Sequence, residues 1–301
     1  MLRRLEIDLA VNLNGLSGQN RNRIFAMRAA PLQAHYLGYA GTMAAPFMDY
    51  VIADRNVIPE ENQRHYTEKV AYLPDCYLPH DSQRRIATPP ARKDAGLPDR
   101  GFVFASFNNN FKITPEVFEV WTRLLQKIDG SVLWLRQPNP DATVNLLREA
   151  RDRHVDPARV IFARRVGDGE HHVARLRLAD LFLDTFPYNG HATTLDALWA
   201  GVPVLTCAGH TFAGRVAASV LKTAGFPELI TESLPDYERA ALWLAQSPAE
   251  LQDLRARISA NRDTSPLFDT IRFTRALERA YAMMCDRQRS ALRPASFEAT
   301  V

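Results

Sequence analysis

The most informative stretch of the sequence is Tyr188–Thr206, YNGHATTLDALWAGVPVLT. Its pattern predicts a turn, then a helix, then a buried strand, because Gly201 falls where a C-terminal helix glycine belongs and Pro203 prevents continuation. The first turn of a helix exposes unpaired backbone N–H groups and the positive end of the helix dipole. The start of this helix is therefore a candidate phosphate site.

Polar side chains near this helix start could add contacts to a ligand. Thr193 and Thr194 could donate from their hydroxyls and His191 from its ring, whereas Asp196 could only accept, for example from sugar hydroxyls. A helix start with both features fits a nucleoside diphosphate and its ribose. An isolated motif of this kind is otherwise typical of an ordinary capped helix between two strands, and the wider sequence decides between the two interpretations.

The composition indicates a globular protein. The 301 residues are 46% hydrophobic and 24% charged, which predicts a sizeable core and two domains. The net charge of +3 comes without basic blocks interleaved with aromatic residues, so nucleic-acid binding is not indicated. The chain contains no apolar run of about 18 residues and no signal peptide, so we expect no membrane association. Cys76, Cys207 and Cys285 lie in no metal-ligand spacing and are typical of reduced thiols in a cytoplasmic protein.

Predicted strands and helices alternate along the chain, which favours an α/β fold with parallel, doubly wound sheets. A proline-rich segment, residues 74–100, predicts a domain boundary near residue 95. We therefore expect a first lobe over residues 1–95, a second lobe over 96–285 and a loose polar tail over 286–301. Because the first predicted strand, Leu5–Leu13, has almost nothing before it, we expect the first lobe to be partial and the second complete.

Ligands of such sheets bind beyond the carboxyl ends of the strands, and the conspicuous polar residues of the second lobe lie there. Lys112 follows its first strand, His171 and His172 follow its third, and His191–Asp196 follow its fourth. Taken alone, the lysine is compatible with a solvated side chain and each histidine with a satisfied surface or core residue. No serine-hydrolase, zinc-protease, P-loop or dinucleotide motif occurs.

Several stretches together resemble the catalytic region of the protein O-linked N-acetylglucosamine (O-GlcNAc) transferases, in particular the bacterial and SPINDLY-like members. The resemblance covers residues 5–285, with the motifs in matching order. The stretches are VNLNG (11–15), FAMRAAPLQAHYLGYAGTMAAPFMDYVIADR (25–55), YTEKVAYLP (66–74), FNNNFKITP (107–115), SVLWL (131–135), LADLFLDTFPYNGHATTLDALWAGVPVLT (178–206) and RVAASVL (215–221).

The resemblance implies a GT-B fold, with two Rossmann-like lobes and the site between them. It implies a hexosyltransferase that moves N-acetylglucosamine from UDP-GlcNAc to Ser/Thr hydroxyls of a protein or peptide acceptor, with inversion and without a metal or other cofactor. Plant SPINDLY-type relatives use GDP-fucose, so another donor sugar is an alternative. A second alternative is a catalytically impaired nucleotide-binding or partner-docking module, and a third is a GT-B enzyme acting on a small molecule or glycan.

The resemblance also assigns residues. Lys112 matches the lysine that stabilises the UDP leaving group. The other matched positions are expected to bind the nucleotide sugar. They are Gly190, His191, Ala192 and Thr193 at the diphosphate-binding helix start, Asp196 at the ribose, His172 and Val166 at the base, Asn109 near the diphosphate, and Leu37, Gly38 and Tyr39 on the loop that approaches the sugar.

The sequence departs from the family pattern at several positions. Ala192 replaces a threonine of the phosphate site and Ala40 replaces a proline. Gly169 and Asp8 stand where animal members have a ribose-contacting lysine and a histidine near the acceptor. The first N-lobe segment, with a histidine once proposed as general base, is absent, as are the tetratricopeptide repeats (TPR) that recruit acceptors. We therefore expect a TPR-containing region to be encoded upstream.

Overall fold

The computed structural model describes residues 2–300 of the chain. They divide into two compact units. The first unit contains the chain up to His80, the short segment Thr211–Ala213 and the chain from Pro266 onward. The second unit contains Asp81–His210 and Gly214–Ser265.

Strands and helices alternate along the chain, as the sequence predicts. The strands are β1 (Leu9–Asn12), β2 (Leu32–His35), β3 (Tyr50–Asp54), β4 (Lys69–Leu73), β5 (Val103–Ser106), β6 (Val132–Arg136), β7 (Val160–Ala163), β8 (Leu181–Leu183), β9 (Val204–Cys207), β10 (Ile230–Thr231) and β11 (Phe297–Glu298). The α-helices are α1 (Asn22–Ala26), α2 (Pro115–Lys127), α3 (Pro140–Asp152), α4 (Gly169–Leu176), α5 (Ala192–Trp199), α6 (Val216–Thr223), α7 (Leu234–Gln246), α8 (Pro248–Asn261) and α9 (Thr270–Arg289).

Each unit contains one parallel sheet. The order is β1-β2-β3-β4-β11 in the first unit and β10-β9-β8-β5-β6-β7 in the second. Strands β5, β8 and β9, at the centre of the second sheet, are buried throughout, as expected of parallel strands covered on both faces. Their carboxyl ends therefore meet at one edge of the sheet, where a ligand site of such a fold lies.

Local sequence explains where the helices begin. Helix α2 starts after Thr114, whose hydroxyl accepts a hydrogen bond from the Val117 amide, and Pro115 occupies its first turn. Its apolar face, which includes Trp121, Leu124 and Leu125, is buried as predicted. Such capped, one-sided helices cover the sheet and hold the strand ends in place.

The C-terminal stretch differs from the expected loose polar tail. Strand β11 pairs in parallel with β4, with Phe297 opposite Ala71. The Phe297 ring packs edge-on against Tyr50 with the ring centres 5.9 Å apart, and Ala299 is fully buried. The polar average composition of this stretch does not reveal these apolar contacts, so the sequence does not predict the added strand.

The limits of the compact units also differ from the expected lobe boundary near residue 95. The units change at His80, and helix α9 belongs to the first unit although it follows the second in the chain. The segment after His80 is held by the second unit, for example by a hydrogen bond from Trp199 Nε1 to the Arg84 carbonyl oxygen at 3.1 Å. Met1 and Val301, the ends of the expected first and last segments, lie outside the described residues.

None of the helices within residues 2–300 combines the length and the apolar character needed to cross a bilayer.

We predict that Gly101→Ala lowers the free energy of unfolding by about 2–4 kcal/mol, because it combines a steric overlap with an unfavourable backbone conformation. Gly101 has a φ of +108°, and a Cβ there would lie 2.1 Å from the Gly130 carbonyl oxygen. Thermal or urea denaturation measures the effect. Gly167→Ala is the control, since a Cβ there meets no atom within 4 Å. Equal stabilities of the two variants would contradict the prediction.

Candidate functional site

A buried carboxylate organises the carboxyl edge of the second sheet. Asp184 directly follows β8 and is 2% exposed. Its carboxylate accepts hydrogen bonds from the backbone amides of Thr185 at 2.8 Å and Gly190 at 2.6 Å. It also accepts from Thr206 Oγ1 at 2.7 Å and Asn108 Nδ2 at 3.1 Å. These contacts fasten the loop between β8 and α5 to the ends of β5 and β9.

Burial raises the pKa of Asp184 to about 6, and the hydrogen bonds from Thr206, Gly190 and Thr185 oppose the shift. At neutral pH the group is therefore predominantly a carboxylate that needs all its donors. A single aspartate at the end of a predicted strand carries no sequence signal that its own loop and two neighbouring strand ends converge on it.

Asn189 shapes the same loop from inside. Its side chain is fully buried and donates to the carbonyl oxygens of Thr185 at 2.9 Å and Cys207 at 3.3 Å. With its side chain held inward, its backbone carbonyl accepts a hydrogen bond from Lys112 Nζ at 2.7 Å. The loop before α5 and the loop after β5 are thereby joined.

Lys112 lies at the end of a short 3-10 helix, Asn110–Lys112, that follows β5. Its ammonium is 4.1 Å from the centre of the Tyr188 ring, a cation–π distance. Burial lowers the pKa of Lys112 to about 8, while the charge of Asp184 opposes the shift. The ammonium is therefore a partly desolvated cation at neutral pH, which favours binding of an anion.

The start of α5 is adjacent to this lysine, as the sequence predicts. Thr193 Oγ1 donates to Asn108 Oδ1 at 2.5 Å. A Cβ at Gly190 would lie 2.6 Å from Thr193 Oγ1, so the loop requires glycine at this close approach. The His191 ring stacks on Tyr188 with the centres 5.2 Å apart, and Ala192 is exposed at the first helical position. Lys112 thus contacts Asn189, and Thr193 lies beside the next residue of the same loop, Gly190.

Asp196 lies one turn further along α5 and is paired on both carboxylate oxygens. Its Oδ1 is hydrogen-bonded to Arg84 Nη1, and its Oδ2 is 3.5 Å from His172 Nε2. Burial alone would raise the pKa of Asp196, but the hydrogen bonds from His172 and Arg84 and the charge of Arg84 bring it below its usual value. A carboxylate held in this state accepts hydrogen bonds well.

The two adjacent histidines of α4 have separate environments. His171 is exposed and its Nδ1 is 2.9 Å from the carboxylate of Asp168, which also caps the helix. His172 turns inward, and its Nδ1 lies 2.9 Å from Arg175 Nη2. Because a guanidinium only donates, Nδ1 of His172 is the acceptor and the ring proton is on Nε2, towards Asp196.

Val166 lines a cavity of about 580 Å³ beside the end of β7. Trp134 and Arg175 also line this cavity, and the buried Trp134 Nε1 and Arg175 Nε have no hydrogen-bond partner in the described part of the chain. A cavity of this size, lined by an indole ring and a guanidinium, is suited to a planar ligand such as a base.

Asn109 is exposed beside Asn108, and its Oδ1 accepts a hydrogen bond from Arg136 Nη1 at 2.5 Å. It therefore lies at the same edge of the sheet as Lys112.

Leu37, Gly38 and Tyr39 follow β2 in the first unit. Leu37 has a φ of +73°, and a Cβ at Gly38 would lie 1.9 Å from the Leu13 carbonyl oxygen. The buried His35 fixes this loop through a contact of 2.9 Å between its Nε2 and the Tyr39 carbonyl oxygen. The loop conformation is therefore strongly specified, and its role in binding the sugar stays a prediction.

The sequence pattern does not predict three further side chains of the site. Arg175 could be found from its spacing, because it stands three residues after His172 on the same helix face. Tyr188 has only the pattern of a turn residue. Arg84 has no such signal, since it lies in the proline-rich segment that predicts a linker.

Within residues 2–300, no group of three or more histidine, cysteine, aspartate or glutamate side chains is placed to hold a metal ion. The expectation that the reaction needs no metal stays a prediction.

We predict that Lys112 reacts with acetic anhydride at a lower pH than an ordinary lysine, because the neutral amine is the reactive form. Its labelling should have a midpoint near pH 8, in line with the pKa of about 8 that burial produces. Mass spectrometry of peptides after pulsed labelling at several pH values measures this, and the exposed Lys222 provides the reference in the same sample. A Lys112 midpoint above pH 10 would contradict the described burial.

Comparisons with known proteins agree with this architecture. The model of glycosyl transferase family 41 matches residues 2–88 and 82–277. The chain is 38% identical over 300 residues to the probable UDP-N-acetylglucosamine–peptide N-acetylglucosaminyltransferase SEC of Arabidopsis thaliana, an alignment that covers 97% of this chain and 31% of that protein. It is 33% identical to the corresponding SPINDLY protein of Petunia hybrida, over 97% of this chain and 32% of the relative. The chain thus spans about a third of the length of these relatives.

Solved structures show the same fold. A mutant of the O-GlcNAc transferase of Thermobaculum terrenum superimposes with a TM-score of 0.83 at 30% identity, covering 95% of this chain and 55% of that one. Anabaena HepE in complex with UDP superimposes with a TM-score of 0.64 at 13% identity, over 94% of this chain and 80% of that one, which supports the fold alone. The predicted GT-B class, with two Rossmann-like α/β units, is confirmed. From the family match over most of its length, this chain belongs to glycosyl transferase family 41.

Proposed function

We propose that this chain transfers N-acetylglucosamine from UDP-GlcNAc to Ser/Thr hydroxyls of proteins, with inversion at the anomeric carbon. The observation that carries the proposal is the junction of Lys112 with the loop before α5, next to Thr193. The names of the plant relatives support the choice of donor and acceptor, since both are named as probable UDP-N-acetylglucosamine–peptide N-acetylglucosaminyltransferases.

In such a transfer the acceptor oxygen bonds to the anomeric carbon while the bond from that carbon to the diphosphate oxygen breaks. The acceptor proton leaves to a base and the negative charge collects on the departing UDP. Lys112, the backbone N–H groups at the start of α5 and the Thr193 hydroxyl are the donors that would stabilise this charge. Donors already oriented before the reaction are the main electrostatic contribution in transfers of this kind.

The proposed reaction uses no metal. A cation and the positive end of a helix at the same loop supply the charge that a divalent ion would otherwise supply to a diphosphate. Because Lys112 is partly buried, its interaction with the diphosphate is screened less than that of a surface lysine. Binding of UDP should therefore be unchanged by EDTA.

The remaining roles follow the polarity of the site. Asp196 would accept hydrogen bonds from ribose hydroxyls, and His172, Arg175 and the Val166 loop would surround the base. A protein or peptide is the proposed acceptor, and the cytoplasm the proposed location. A TPR-containing region of the longer protein would recruit the acceptor.

We predict that Lys112→Ala lowers the rate of transfer by roughly 10²–10³-fold, the usual effect of removing one donor to a developing oxyanion. The measurement is mass spectrometry of acceptor peptides after incubation with UDP-GlcNAc or GDP-fucose. The reactions contain EDTA, and UDP binding is followed by calorimetry. Lys222→Ala, which removes an exposed lysine, is the control and should retain activity.

An undetectable affinity of the unmodified chain for UDP would refute the proposal. Binding of UDP without transfer from either donor would favour a nucleotide-binding module instead, and transfer from GDP-fucose alone would correct the donor.

A further inference from the structure

Arg84 occupies the nucleotide side of the second unit, although it comes from the proline-rich segment at the start of that unit. Its guanidinium pairs with Asp196, and the two side chains are 26% and 14% exposed. Its Nη2 is 3.5 Å from the Gly169 carbonyl oxygen, and its own carbonyl accepts from Trp199 Nε1 at 3.1 Å. One arginine therefore contacts the first residue of α4 and both Asp196 and Trp199 of α5.

Gly169 lies beside this guanidinium. A Cβ at Gly169 would lie 3.4 Å from Arg84 Nη2 and 3.9 Å from Arg84 Nε. A longer side chain at the start of α4 would compete with Arg84 for the same position. Arg84 therefore brings its positive charge to Asp196 from a segment outside α5, and its guanidinium lies beside Gly169.

The charge balance at Asp196 explains why a cation is needed there. Asp196 lies one turn from the helix start where the diphosphate is proposed to bind, and two anions at this separation repel each other. His172 faces the second carboxylate oxygen through Nε2 at 3.5 Å, and it can carry its proton there as a neutral ring because Nδ1 accepts from Arg175. Arg84 is then the permanent positive charge in contact with Asp196.

We propose that Arg84 is a donor-binding residue, which neutralises Asp196 so that a nucleoside diphosphate can bind at the start of α5. This inference rests on the proposed function of the site. Arg84 also holds the carboxylate of Asp196 in one orientation, with its remaining acceptor capacity open to ribose hydroxyls. If Arg84 only blocked the ribose site, its removal would instead raise the affinity for UDP.

The test is a double-mutant cycle on UDP binding, measured by calorimetry at constant ionic strength. Arg84→Ala should weaken UDP binding roughly tenfold, the size of effect expected from one lost charge-assisted interaction. In the Asp196→Asn background, the same change should weaken binding less than about twofold, because no carboxylate is left to neutralise. Arg84→Lys should stay within about threefold of the unmodified chain, since the charge is retained.

The neighbouring Arg85 is exposed, and Arg85→Ala is the matched control with unchanged affinity expected. Unchanged or tighter binding by Arg84→Ala would overturn the inference, as would an equal loss in the Asp196→Asn background or an Arg84→Lys variant as weak as Arg84→Ala. The conservative lysine variant and the cycle keep the test valid if Arg84→Ala is poorly folded. Absence of UDP binding by the unmodified chain would instead refute the proposed function.

Discussion

The site depends on one buried anion. A carboxylate removed from water is costly unless hydrogen bonds replace its hydration, and Asp184 receives them from its own loop and from two neighbouring strand ends. The hydrogen bonds to this carboxylate therefore restrict the backbone conformation of the loop between β8 and α5. This conformation turns the carbonyl of Asn189 towards Lys112 and places Gly190 against the start of α5. The hydrogen bonds that make burial of Asp184 tolerable thus also set the positions of Asn189 and Gly190 in the candidate site.

Charge is distributed unevenly over the site that results. At one end, burial lowers the pKa of Lys112 to about 8, which leaves the group mostly protonated at neutral pH. The helix dipole of α5 adds positive potential there. At the other end, the contacts with His172 and Arg84 hold the pKa of Asp196 below its usual value, so Asp196 is an ionised hydrogen-bond acceptor beside a compensating positive charge. A ligand with an anionic middle and a hydroxyl-rich neighbour, such as a nucleoside diphosphate, fits this polarity. The same electrostatics that bind the diphosphate would stabilise it as a leaving group.

The sequence predicts the fold, and it predicts that Lys112 and the start of α5 lie together, because both predictions rest on local patterns. Alternating apolar strands and capped helices fix a parallel sheet, and position relative to strand ends brings Lys112 and the start of α5 to one edge. Contacts between segments distant in the chain were not accessible in this way. The pairing of Arg84 with Asp196 spans 112 residues, and the addition of β11 to the first sheet depends on register rather than composition. Both lie in stretches whose proline or polar content suggests a linker or tail.

Lys112 and the start of α5 are proposed to form one diphosphate site. A crystal structure of the chain with UDP, grown in EDTA, would show whether they do. We expect phosphate oxygens within hydrogen-bonding distance of both Lys112 Nζ and Thr193 Oγ1. UDP bound with its diphosphate elsewhere, for example against Lys93 and Arg164, which line the cavity beside β7, would contradict this proposal.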